Sequence, residues 1–272
     1  MTDGCCLTLY FSLLFFLIYI VIKYLIPLRI KSPYILMFYG LLSILLLSQI
    51  IVMFARLVFD DPGFYVTDHQ RITVGMIALH TGAVAYILLG FVISVTMFQL
   101  SVSLALVLCM IDVKEANTRK MTFNVAMLVI GVATIICACF ETSMSAIASK
   151  EHLIFEVIGL LVLCLVYFTT IVELLRRLRI FVLDESKQEA RLIRLQFWIF
   201  LAAYGSKVIT LMYWIKNPPK QKRDVESFLI VTDAMQFIWI FVPTLFLLLM
   251  QIRTFMRMKE EKLELLAKIE SH

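Results

Sequence analysis

From Thr73 to Ile111 the chain carries no Asp, Glu, Lys or Arg. A hydrocarbon core about 30 Å thick is crossed by about 20 apolar residues in a helix. At about 1.5 Å per residue, this stretch would reach roughly 58 Å. It is therefore either one long helix projecting beyond a bilayer or two crossings folded back on each other. No proline and no cluster of Asn, Asp or Ser breaks it. The candidate turns, Gly82 and Gly90, are isolated glycines of a kind common in membrane helices. One long helix is the expectation.

The rest of the sequence sets that stretch in a membrane protein. The chain is 61% hydrophobic and 17% charged, where soluble domains run at about half and a quarter. Its net charge of +5 sits in short basic clusters between apolar runs, which is the pattern of topogenic charge and not of a nucleic-acid face. The apolar runs predict helices at 5–27, 34–59, 73–111, 121–147, 154–175, 195–214 and 227–251. The expected fold is all-α, a seven-transmembrane-helix bundle embedded in the lipid bilayer of the cell membrane. The first run lacks a basic start and is trailed by Lys23, Arg29 and Lys31, so it reads as a retained helix with its N-terminus outside. The tail, 252–272, places Ile252, Phe255, Met256, Leu263, Leu266 and Ile269 roughly on one face. It reads as a cytoplasmic amphipathic helix, lying on the membrane surface or solvated.

Charge distribution favours that orientation. With the N-terminus outside, the basic flanks of the first, third, fifth and seventh runs all face inward, and the main exception is the Asn217 to Arg223 loop. Splitting the long stretch would reverse every later loop. Turning such an eight-crossing chain over would put the basic flank of the first helix outside.

Catalytic chemistry is poorly represented. The histidines are His69, His80, His152 and His272, with no H-E-x-x-H and no G-x-S-x-G, so neither a metal site nor a nucleophile elbow is encoded. No enzyme activity and no cofactor is expected. Cys109, Cys137, Cys139 and Cys164 lie in apolar runs, and Cys5 and Cys6 are adjacent, so no disulfide framework is readable.

Polar groups inside the apolar runs are the candidate functional residues. His80, Glu141, Lys207 and Asp233 fall at one level, roughly 9 to 11 Å in from the outer helix ends. Each intramembrane charge costs about 2.5 to 3.5 kcal/mol or more unless paired or hydrated, so such groups face the bundle interior. Lys207 either pairs with Glu141 or Asp233 to hold helices together, or these groups line an outward-open pocket with Tyr86, Tyr204 and Gln236. Such a pocket would take a small polar or amphipathic ligand. Intramembrane charges equally suit a transporter or channel subunit.

The run Ser101-Val-Ser-Leu-Ala-Leu-Val-Leu-Cys-Met-Ile-Asp-Val-Lys-Glu-Ala116 resembles the end of the third helix in the alpha, b and e groups of the nematode serpentine chemoreceptors, which are of the G-protein-coupled type. Asp112 matches the acidic residue of that motif and Ala116 its alanine, while Val113 stands where Arg is expected. Pro243 sits in Phe241-Val-Pro-Thr-Leu245, without the Asn and Tyr of the widespread seventh-helix motif. The resemblance implies a receptor for a small-molecule ligand with a heterotrimeric G protein as its partner. The contact surface would be Asp112, Lys114, Arg119, Lys120, Arg176, Arg177, Arg179, Arg191 and Arg194, a rim largely of one sign. The alternative for any of these residues is a topogenic charge in contact with anionic lipid.

Overall fold

The computed structural model describes residues 2–28, 32–59, 69–142, 150–180, 184–217, 231 and 234–270. Among them seven helices are long and apolar enough to cross a membrane, and no strand occurs. The protein is a multi-pass membrane protein. Helix α1 spans Thr2–Ile20 and continues through a π-helical turn, Val21–Leu25, into Ile26–Leu28. Helix α2 is Pro33–Phe59, opening on a proline whose missing N–H costs nothing at a first helical position. Then follow α3 His69–Val107, α4 Val113–Thr142, α5 Lys150–Ile180 and α6 Asp184–Lys216. A π-helical turn, Phe237–Phe241, leads into α7, Val242–Glu270.

The long apolar stretch is one helix. Gly82 and Gly90 lie inside α3 as points of close approach, not turns. A Cβ on Gly82 would meet Gln49 Nε2 at 3.1 Å and Ser48 Cβ at 3.3 Å, so the glycine lets α2 and α3 pack closely.

Helix α3 ends at Val107, short of the expected Ile111, although Leu108 to Ile111 are as apolar as what precedes them. The stop is made by the backbone. Cys109 takes a left-handed φ of 56°, its N–H bonds the Leu106 carbonyl at 3.0 Å, and the Met110 N–H bonds the Ala105 carbonyl at 2.9 Å. This is the Schellman arrangement that satisfies the last carbonyls of a helix. Two residues later Asp112 opens α4, its Oδ1 accepting the Glu115 N–H at 2.6 Å. The stretch expected to be a polar connection, Asp112 to Lys120, is a helix cap followed by the first two turns of α4. The tail also differs from expectation, because its helix continues α7 without a break.

Helix α3 packs against α2, α4 and α5 and carries much of the core, including Tyr86, Ile87, Leu89, Val92 and Ile93. Helix α4 is its opposite. It rests on α3, barely meets α5, and turns Met121, Val125, Leu128, Val129 and Val132 outward. A helix face this apolar and this exposed is where lipid belongs. Asn124, directed inward, is bonded on both sides: it accepts from Gln99 at 3.3 Å and donates to the Tyr34 hydroxyl at 2.8 Å, joining α4 to α3 and α2.

Candidate functional site

The site is shaped by Pro243. Lacking an N–H, it cannot donate to the carbonyl four residues back, that of Trp239. The backbone there opens into the π-helical turn, in which the Val242 N–H bonds the Phe237 carbonyl. The Trp239 carbonyl is served from another helix, by the Tyr86 hydroxyl of α3 at 2.9 Å. Trp239 is buried, and its indole N–H donates to Ser206 Oγ on α6 at 3.0 Å.

One residue beyond Ser206, Lys207 places its Nζ 2.5 Å from Glu156 Oε1 on α5, with side-chain exposures of 12% and 9%. The same ammonium lies 4.5 Å from the centre of the Tyr86 ring and 5.8 Å from that of Trp239. Tyr204 meets Tyr86 edge to face, ring centres 5.3 Å apart. Gln236, one turn before Trp239, accepts a hydrogen bond from Tyr10 of α1. The cluster thus draws on α1, α3, α5, α6 and the π-helical turn. It depends on Gly90 for room, since a Cβ there would fall 2.7 Å from Leu163 Cδ1 and 3.0 Å from the Tyr204 hydroxyl.

No family model and no curated protein matches the chain. Its chemistry is read from this geometry.

Of the seven residues expected to line a ligand pocket, Tyr86, Tyr204 and Lys207 come together, with Gln236 one turn away from Trp239. The side chains of His80 and Glu141, and the whole of Asp233, lie outside the described residues. The partner found for Lys207 is Glu156, which the sequence reading passed over because it set the outer end of this helix at Ile154. Helix α5 begins at Lys150, so Glu156 lies nearly two turns in. A signal was present: Glu156 is followed at helical spacing by Leu160, Leu163 and Tyr167, all buried on the same face.

A cavity of about 360 Å³ opens at the other end of the bundle, beside the α3–α4 turn. It is lined by Leu100 and Leu104 of α3, Leu178 of α5, Ile193 of α6, and Arg253, Thr254, Arg257 and Met258 of α7. Asp112, Lys114, Arg176, Arg179, Arg191 and Arg194 are exposed at this end. Arg119 is also exposed and pairs with Glu115 at 2.6 Å, while Lys120 donates to Ser103 Oγ at 2.8 Å. Arg177 departs from the expected rim. It is turned into the bundle, donates to the Ser101 carbonyl of α3 at 2.6 Å, and pairs with Glu173 at 2.5 Å. Asp112 is the cap of α4.

The two ends are joined by rings. Tyr86, Tyr204, Phe200 and Tyr167 follow one another with centres 5.3, 5.4 and 5.4 Å apart, crossing from α3 to α6 to α5. Gln196 and Ile193 then lie one and two turns beyond Phe200 on α6, and Ile193 forms part of the cavity wall.

Proposed function

We propose that this protein is a receptor of the G-protein-coupled type that binds a small ligand at the Lys207–Glu156 cluster and signals through the opposite end of the bundle. The observation that carries this reading is the pairing of two unlike sites in one bundle. One is a buried ion pair with aromatic walls, built from four helices and the turn before α7. The other is a cavity lined by apolar and basic residues at the end where the exposed cations gather. A ligand that disturbs the first shifts Tyr86 and Tyr204, and packed rings pass discrete rearrangements on to α5 and α6.

In this reading the chain is a divergent relative of the nematode serpentine chemoreceptors, seated in the cell membrane with its N-terminus outside and its C-terminus in the cytoplasm. The cavity lies on the cytoplasmic side and takes an apolar segment of a heterotrimeric G protein, with the surrounding cations steering its approach. Topology is tested with epitope tags at the two termini, which should be reached from opposite sides of the membrane. Coupling is tested by expressing the full chain with a G-protein reporter and reversing Arg176 and Arg179 together. Signalling should be lost while surface delivery is kept; unchanged signalling removes the assignment. Ion flux through the reconstituted protein would instead point to a channel or transporter.

A further inference from the structure

We propose that the ligand of the Lys207–Glu156 cluster is a primary amine, and that the Lys207 ammonium is a tethered stand-in for it. The inference rests on the reading of this cluster as the ligand site. The Lys207 head group sits as a bound ammonium would, donating to one carboxylate at 2.5 Å and facing two aromatic rings at 4.5 and 5.8 Å. A carboxylate with aromatic faces beside it is the general chemistry of cation recognition.

An anionic ligand finds little here. It would need hydrogen-bond donors besides Lys207, and three neighbouring ones among the described residues are engaged. The Tyr86 hydroxyl donates to the Trp239 carbonyl, the Trp239 indole to Ser206, and the Ser206 hydroxyl to the Ala202 carbonyl at 2.6 Å. Redirecting any of them would strand a carbonyl or hydroxyl in a bilayer, where no water replaces the lost bond. A cation leaves those three hydrogen bonds in place. It takes over Glu156 and the ring faces, and the flexible four-carbon stem of Lys207 swings its own charge away. The short contact to Glu156 is made by an N–H, which selects a primary amine over a quaternary one.

The tether makes Lys207 a competitor present at an effective concentration in the millimolar range or above. Its removal should therefore strengthen amine binding by about 10-fold or more. The test uses the full chain in lipid nanodiscs and reads the thermal midpoint against 2-phenylethylamine, its N,N,N-trimethyl analogue and 3-phenylpropionate. Wild-type protein should show a saturable upward shift with the amine, a response at least about 10-fold weaker to the trimethyl analogue, and none to the carboxylate. Lys207→Met should bind the amine more tightly than wild type. The double variant Glu156→Gln/Lys207→Met keeps the shape without either charge, and serves where the single change fails to fold; it should lose the shift.

A shift from the carboxylate in place of the amine overturns the proposal. So does equal binding of the trimethyl analogue, a shift that survives in the double variant, or no saturable amine shift in wild-type protein. The binding readout is independent of signalling. Amine binding without a G-protein response would leave the cation site standing and remove the receptor reading, and a response to other ligands without amine binding would do the reverse.

Discussion

The two ends of the bundle solve opposite problems. At the Lys207–Glu156 end charge is buried and matched: each partner is about nine-tenths covered, and the Tyr86 and Trp239 donors beside the pair are engaged. At the cavity end much of the charge stays at the surface, on Arg176, Arg179, Arg191 and Arg194, and about 360 Å³ is left unfilled among leucines and arginines. A region whose polar groups are mutually satisfied is costly to disturb. A surface whose charges are hydrated can be altered with little effect on stability. Mutations should therefore separate stability from signalling according to the end they touch.

The largest effect is expected from breaking the ion pair. Removing one partner leaves the other buried and charged, at a cost of about 3 to 5 kcal/mol. Glu156→Gln and Lys207→Met should each lower the thermal midpoint sharply and reduce delivery to the membrane. Joining them in one chain should recover most of the loss; a double variant as unstable as the singles would show that the pair is not the interaction at stake. Next comes Arg177, the one buried basic residue of the cavity end among the described residues, which belongs energetically with the other end. Its bond to the Ser101 carbonyl is charge-assisted, so Arg177→Met should cost about 1.5 to 3 kcal/mol in a denaturation assay.

A smaller effect, about 1 to 2 kcal/mol, is expected for Tyr86→Phe, which leaves the Trp239 carbonyl without a donor. The cause can be isolated, since Pro243→Ala restores an N–H and should soften the Tyr86→Phe loss. Additive losses would show that the carbonyl was not the reason. The smallest stability effect belongs to Arg176 and Arg179. Both are exposed, and reversing their charge should change stability by less than about 0.5 kcal/mol even as, on the proposed receptor reading, it removes the G-protein response. A marked fall in the midpoint would erase the contrast between the two ends.

How much of this was written in the sequence depends on which forces made each feature. The seven crossings and the continuous α3 were legible because they follow from run length and from the absence of charge and proline. Lys207 was legible because a charge within an apolar run turns inward, and Tyr86 and Tyr204 were expected to line the same pocket. The end of α3 was not legible: Leu108 to Ile111 continue the apolar pattern, while the stop lies in the left-handed backbone at Cys109 and the cap at Asp112. Glu156 as the partner of Lys207 was legible only in part: its place on one face with Leu160, Leu163 and Tyr167 could be read, but the pairing could not. It depends on how α5 and α6 are rotated against each other, and that is settled by packing and not by any local pattern. Arg177 among Arg176 and Arg179 is a similar case, since three basic residues within four positions cannot share one helix face.

The joint between α3 and α4 has a mechanical consequence. Between Val107 and Val113 the link is closed at both ends, by the Met110 to Ala105 and Cys109 to Leu106 bonds on one side and by Asp112 on the other. A connection so short and so fully bonded has no slack. Sliding α3 along its own axis carries the start of α4 the same distance, and beyond α3 and the Asn124 bond to Tyr34, α4 has little protein to lean on, only the hydrocarbon around Met121, Val125 and Leu128. Among the described residues the most deeply packed helix is in this way geared to the one with the most outward-facing apolar surface, so that the thickness and stiffness of the bilayer become part of the spring against which α3 moves.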